Sequence, residues 1–206
     1  GIAYTYNEPS IWYEFVYETA MLARKEGLKN VLVTNGFIQS KPLEQLLPYI
    51  DAMNIDLKAY NNDFYNDICG GELSHVKETI KISSESCHLE ITTLVIEGIN
   101  DSIDEIANLS KWISKIRPDI PLHLSRYFPA YKMNQPPTSM DSLERAYEEA
   151  KKYLNYVYMG NVQGADQNTY CPKCDNKIIE RSFVVKIQGL EQGKCSRCGH
   201  AQPIII

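Results

Sequence analysis

The stretch Met53-Asn54-Ile55-Asp56-Leu57-Lys58 constrains this chain more than any other. Its residue types alternate strictly. Met53, Ile55 and Leu57 fall on one face of a strand and Asn54, Asp56 and Lys58 on the other, because strand side chains alternate with a period of two. A strand buried in a parallel sheet is apolar on both faces. This one offers one face for helices to cover and a second that carries an amide, an acid and an amine. Its flanks read as helices, so it belongs in a parallel sheet whose second face lines a site. The polar groups run toward its C-terminal end, where parallel α/β folds place their chemistry.

The rest of the chain keeps the same rhythm. Strands are predicted over residues 1–6, 31–34, 53–58, 89–95, 122–125 and 156–159. Helices are predicted over 9–26, over a short stretch with Pro42 in its first turn, and over 63–68, 74–84, 102–116 and 141–154. Pro9 suits the first turn of a helix, and Gly27 suits its left-handed stop. Trp12, Phe15, Val16, Thr19, Leu22 and Ala23 are read as the buried face of that first helix. Alternating strands and helices mean βα units and a parallel sheet. Glu90 and Thr92 share one strand face, as do His123 and Ser125. Polar groups on three central strands do not suit the dry core of a closed barrel. They suit a wider, incomplete barrel with a polar lumen. Residues 1–5 already read as a strand with no lead-in, so an N-terminal piece is expected to be missing.

Composition sets outer limits. The chain has 206 residues, 44% of them hydrophobic, enough for one good core and a small appendage. Its net charge is −5 and no Lys/Arg stripe occurs, so no nucleic-acid partner is expected. No apolar run approaches membrane-spanning length and no signal peptide opens the chain, which predicts a cytoplasmic protein with no membrane partner.

The main domain is read as residues 1–160, followed by a Gly-, Asn- and Gln-rich linker over 161–170 and a metal-binding module over 171–206. In that module Cys171-Pro172-Lys173-Cys174 precedes Cys195-Ser196-Arg197-Cys198-Gly199 by twenty residues. Two such knuckles supply four thiolates in tetrahedral reach, the ligand set of structural Zn²⁺. An iron site of the rubredoxin kind and a redox dithiol use similar knuckles. A module this small has little core of its own, so metal binding is expected to drive its folding. Cys69 and Cys87 are read as ordinary thiols.

Each polar residue has a bland reading. Asn7-Glu8-Pro9 serves as a helix start, Thr34-Asn35-Gly36 as a turn, and Asp56 and Lys58 as an ion pair. His123 fits a core histidine as well as a catalytic one. What sets them apart is coincidence: Glu8, Thr34, Asp56, Glu90, Thr92 and Ser125 all fall toward the C-terminal ends of successive strands.

The segments Thr5-Tyr6-Asn7-Glu8-Pro9, Val33-Thr34-Asn35-Gly36, Asn54-Ile55-Asp56-Leu57-Lys58, residues 92–101 and residues 122–129 together resemble the second to sixth strands of a radical S-adenosylmethionine enzyme. The resemblance is to pyruvate formate-lyase activating enzyme homologues of the AmmeMemoRadiSam type, which also carry a paired cysteine knuckle like the one from Cys171 to Gly199. It implies a partial (β/α)₆ barrel with its first strand missing. It implies S-adenosylmethionine as cofactor, held by Asn7, Glu8, Thr34, Asn35, Asp56, Lys58, Glu90, Thr92, Ser125 and Arg126. Asn7 and Glu8 stand where the family has a GGEP segment that meets the amino group. Asp56 and Lys58 match the family's DLK, with Lys58 suited to the carboxylate. Glu90 and Thr92 are placed near the ribose. Phe128 stands nearest to where related enzymes carry a histidine.

The resemblance also implies a 4Fe–4S cluster on a CxxxCxxC motif. No such motif occurs here, and its place is expected upstream of Gly1. The implied activity is reductive cleavage of S-adenosylmethionine to a 5′-deoxyadenosyl radical that takes hydrogen from a small-molecule or protein substrate, with an external electron donor. A glycyl-radical protein is one implied partner. The competing readings are a cluster-independent (β/α) enzyme that uses Asp56, Lys58 and Glu90 for acid–base work, and a zinc-ribbon binding protein.

Overall fold

The structure, a computed structural model, describes residues 1–204. Six strands form one parallel sheet in sequential order: β1 (Ile2–Tyr4), β2 (Asn30–Thr34), β3 (Ala52–Asp56), β4 (His88–Val95), β5 (Leu122–Arg126) and β6 (Val157–Gly160). Between them run α1 (Tyr13–Lys25), α2 (Ser40–Leu46), a short α3 (Asn62–Phe64), α4 (Leu73–Ser84), α5 (Ile103–Ile116) and α6 (Met140–Ala150). The resemblance implies second to sixth strands only. The sheet holds one more, because Val157–Gly160 adds in parallel to β5 with Leu122 opposite Val157 and Ser125 opposite Gly160.

Alternation fixes which face the helices cover. Leu32, Met53, Ile55, Leu57, Leu89, Ile91, Leu122 and Leu124 are buried under them. The other face carries Val31, Val33, Asn54, Asp56, His88, Glu90, Thr92, His123, Ser125 and Tyr158, none of them buried. Burying one leucine-sized side chain stabilises a fold by about 1.5–3 kcal/mol, so this apolar face supplies the main driving force. The opposite face contributes little to that core.

The first helix departs from its expected face. Val16, Ala20 and Ala23 are buried, whereas Phe15 and Leu22 are 59% and 61% exposed. Pro9–Trp12 forms a 3₁₀ turn before α1 begins. Val16 and Ala23 belong to the expected face, and the buried stripe joins them through Ala20 rather than through the larger Phe15 and Leu22. Small alanines then bring the helix close to the sheet. Gly27, at φ +70°, stops the helix as expected.

The C-terminal module contains β7 (Thr169–Tyr170), β8 (Lys177–Arg181), β9 (Val185–Ile187), β10 (Leu190–Glu191) and β11 (Lys194–Cys195). Strands β7, β8 and β9 make a small sheet, and β10 and β11 a hairpin. Thr169 pairs with Ile179, so the stretch read as a linker over 161–170 already contributes a strand at its end. That stretch also packs on the main sheet: Gln167 Nε2 donates to the Met159 carbonyl, and the Tyr158 hydroxyl and Thr169 Oγ1 lie 2.8 Å apart. Paired polar groups of this kind explain why a sequence poor in apolar residues is ordered here.

Candidate functional site

The C-terminal ends of the strands carry a set of tied-down loops. Glu8, buried, is the N-cap of the 3₁₀ turn: its Oε1 accepts from the Ser10 N–H at 3.1 Å and from Thr34 Oγ1 at 2.6 Å. Its Oε2 accepts from the Asn35 N–H at 2.7 Å. One carboxylate thus fastens the end of β1 to the end of β2. Thr34 lies on the helix-covered face, buried, and also accepts from the Gly36 N–H. Asn35 Oδ1 accepts from the Phe37 N–H, shaping the same turn. Gly36 sits at φ +74°, and a Cβ there would come within 2.7 Å of Ile55 Cγ2. Only glycine fits. These groups leave the exposed Asn7 at the surface above the strand ends.

On the open face, Lys58 Nζ lies 2.7 Å from Asp56 Oδ2, and both side chains are about a third exposed. The backbone around them is held rigid. The Lys58 N–H donates to the Tyr65 hydroxyl at 3.0 Å, and the Lys58 carbonyl accepts from Asn100 Nδ2 at 2.8 Å. Asn100, fully buried, also donates to the Leu94 carbonyl and accepts from the Ile96 N–H, joining the ends of β3 and β4. Burial pushes the Tyr65 phenol well above its ordinary range. Tyr65 therefore stays a neutral donor and acceptor.

Ser125 also faces the open side. Gly160 lies beside it, and a Cβ there would meet Ser125 Oγ at 2.6 Å. Arg126 is turned elsewhere: its Nε donates to the Thr138 carbonyl at 2.7 Å and its guanidinium lies over the Phe128 ring. It fixes the loop over residues 126–138.

One step down the strands, Thr92 Oγ1 donates to Asn54 Oδ1 at 2.8 Å across β3 and β4. Below that, Glu90 Oε2 is 2.8 Å from His123 Nε2 and Glu90 Oε1 is 3.2 Å from His88 Nε2. The His123 contact, then the His88 contact, outweigh burial and hold the Glu90 carboxyl far below its usual range. Tyr158 stacks on His123 with ring centroids 5.3 Å apart. The open face therefore has an upper level with an ion pair and a lower level with a carboxylate between two imidazoles.

The four module cysteines come together as their spacing predicts. Their sulfurs all lie within 4.8 Å of one another, with Cys171 to Cys198 and Cys174 to Cys195 at 3.6 Å. A disulfide would need about 2.05 Å. Four thiolates around an ion at about 2.3 Å stand about 3.8 Å apart in a tetrahedron. Asn176 Nδ2 and Gln202 Nε2 point at Cys195 and Cys171 Sγ, supplying outer hydrogen bonds of the kind that orient metal ligands.

Residues 1–110 match the family described as the radical SAM superfamily. The chain belongs to that superfamily. Over its whole length it is 42% identical to the uncharacterized protein MJ0808 of Methanocaldococcus jannaschii, spanning 63% of that protein. Over 115 residues, 54% of this chain and 47% of the relative, it is 25% identical to pyruvate formate-lyase 1-activating enzyme of Escherichia coli. Among solved structures, a domain of pyruvate-formate lyase-activating enzyme from Bacteroides vulgatus superposes with a TM-score of 0.67 at 19% identity, covering 78% of this chain and 99% of that one. That likeness shows the fold. The chain thus spans less than two thirds of the curated relatives it matches.

Membership in the radical SAM superfamily implies S-adenosylmethionine and a 4Fe–4S cluster. For S-adenosylmethionine the donors fit: the upper level offers an ammonium, a carboxylate, a hydroxyl and loop backbone on one open face. For the cluster, no CxxxCxxC occurs in the 206 residues, so no residue of this chain is assigned to it. The four-cysteine group lies elsewhere. Gln202, bonded to Cys171, accepts at Oε1 from the Tyr156 hydroxyl at the start of β6, the opposite end of the sheet.

Sequence reasoning missed several participants. His88 alternates in phase with Glu90 but lies one residue before the predicted strand, and Asn54, already placed on the polar face, had no partner assigned until Thr92 came beside it. Tyr65, Asn100, Tyr158 and Gly160 carry no such signal, since their roles depend on how distant strands come into register.

Proposed function

We propose that residues 1–160 are the S-adenosylmethionine-holding core of a radical SAM enzyme, a partial (β/α) barrel of the kind found in glycyl-radical activating enzymes and AmmeMemoRadiSam-type homologues. The observation that carries this reading is the Asp56–Lys58 pair on the open face at the C-terminal end of β3. When bound with its cluster, S-adenosylmethionine supplies a 5′-deoxyadenosyl radical that takes a hydrogen atom from substrate.

This chain's residues bind and orient. Lys58 presents its ammonium to the carboxylate of the methionine moiety, and Asp56 fixes the ammonium's position. Ser125 offers a hydroxyl from two strands away. The buried Glu8 acts indirectly: with its oxygens engaged by Ser10, Thr34 and Asn35, it positions the backbone of Tyr6 and Asn7 to meet the amino group. Thr34 and Arg126 act the same way, each through the loop it ties. Thr92 with Asn54 meets the ribose on the same open face.

The C-terminal module holds one Zn²⁺ in a structural site. A closed set of four thiolates with outer hydrogen bonds and no open position supports that assignment. Its place at the N-terminal ends of the strands keeps that ion away from the proposed cradle.

The cluster-independent acid–base reading needs a carboxyl that exchanges protons near neutrality. Glu90 is held ionised well below that range. Titrating S-adenosylmethionine into the chain by calorimetry tests the proposal. Saturable binding that Lys58→Met weakens about tenfold supports it. Binding unchanged by Lys58→Met contradicts it.

A further inference from the structure

A cavity lies under the open face, toward the N-terminal ends of the strands. It measures about 600 Å³. That is ample for a small organic molecule, for which binding cavities run about 300–1,000 Å³. Two parts of the chain build it. The main sheet gives His88, Glu90, His123 and Tyr158, and the four-cysteine module gives Ile179 and Arg181. By exposed area the lining is mostly apolar; its charged members are Lys29, Asp51, Glu90 and Arg181, with His88 and His123 beside Glu90.

The hydrogen bonds in that cluster fix its chemistry. An ionised carboxylate only accepts, so both imidazole Nε2 atoms facing Glu90 carry protons. The Nε2-protonated tautomer of an imidazole carries its lone pair on Nδ1. Among the described residues neither Nδ1 has a hydrogen-bond partner. The side chains are accessible: His88, His123 and Glu90 are 24%, 30% and 35% exposed.

The floor is equally specific. Arg181 Nη1 donates to Thr169 Oγ1, which meets the Tyr158 hydroxyl, and the Tyr158 ring stacks on His123. Gln202 joins Cys171 to Tyr156. The module's fold therefore sets the floor's shape.

We propose that this cavity is a binding compartment for a compact, largely apolar molecule with a hydroxyl or ammonium head, recognised by the Nδ1 atoms of His88 and His123, and that the four-cysteine module forms its floor. An anionic head seated on the two imidazoles would meet their lone pairs and the Glu90 carboxylate, whereas the cations of the lining are engaged elsewhere, Lys29 by Asp51 and Arg181 by Thr169 and the Gln167 carbonyl.

The test uses the zinc-loaded chain with ¹⁵N-labelled histidine and four probes of one shape: 2-phenylethanol, 2-phenylethylamine, ethylbenzene and phenylacetate. The alcohol and the amine should bind at least about tenfold tighter than the other two and shift the His88 and His123 Nδ1 resonances. His123→Phe keeps the stacking on Tyr158 and should remove the preference for the donor heads. If that variant does not fold, His88→Gln carries the same expectation. Chelating the metal should abolish binding of all four. Equal binding of the four probes, no histidine shift at millimolar concentration, or an unchanged preference in the folded variants would overturn the proposal. Neither the cluster nor S-adenosylmethionine enters this experiment, so its failure is distinguishable from failure of the upper-site reading.

Discussion

Thr34 Oγ1 donates to Glu8 Oε1 at 2.6 Å, joining the loop after β1 to the end of β2 inside the protein. The same carboxylate accepts two backbone N–H groups. Glu8→Gln keeps the shape but turns one acceptor into a donor facing donors. Hydrogen bonds to a charged group are worth about 1.5–3 kcal/mol each. Urea denaturation of Glu8→Gln should show a loss of about 1–3 kcal/mol. A loss below about 0.5 kcal/mol would mean that the clamp is not made in solution.

Gly36→Ala should be more damaging than an ordinary surface change. The residue sits at φ +74° and the new methyl would fall 2.7 Å from Ile55 Cγ2. Strain in the backbone alone costs about 1–3 kcal/mol, and Ile55 must also shift. Thermal unfolding should show a clearly lowered midpoint. Gly27→Ala, with open space around its Cβ, should cost less despite its similar φ.

Glu90 makes stability depend on acid. Its folded-state pKa is depressed by the His123 and His88 contacts. A depressed carboxylate contributes stability above its unfolded value, about 4.3, and loses it as pH falls toward the folded value. Wild type should therefore lose stability more steeply than Glu90→Gln from about pH 5 downward. Melting curves of both proteins check this. Parallel pH profiles would show that the two imidazoles do not hold the carboxylate.

Metal analysis should find one ion per chain on the four cysteines, with zinc expected. Cys195→Ser should unfold residues 169–204 and leave the six-stranded sheet intact, as read by amide exchange. A folded module without metal would contradict the assignment.

Much of this was legible in the sequence, for stated reasons. The alternation in residues 53–58 and 88–95 gave the strands and the polar face, because period two is a local signal. The paired knuckles gave the cluster of four sulfurs. The buried face of α1 was only partly legible: Val16 and Ala23 were expected and are buried, but the stripe between them runs through the small Ala20 and leaves the large Phe15 and Leu22 exposed. Nor was the Glu90–His123 contact, 33 residues apart, which depends on the register of β4 against β5. Thr34 and Arg126 look like site residues in sequence, but their side chains are committed to Glu8 and Thr138.

The most direct test concerns Lys58. Its pair with Asp56 is about a third exposed, and an exposed pair contributes about 0–1 kcal/mol to stability. Lost from a cofactor, one charge-assisted hydrogen bond costs about 1.5–3 kcal/mol, tenfold or more in affinity. S-adenosylmethionine binding to the chain should be compared by calorimetry for wild type and Lys58→Met, alongside thermal stability. The account predicts an unchanged melting temperature and affinity weakened at least about tenfold. A destabilised variant with untouched affinity would contradict it.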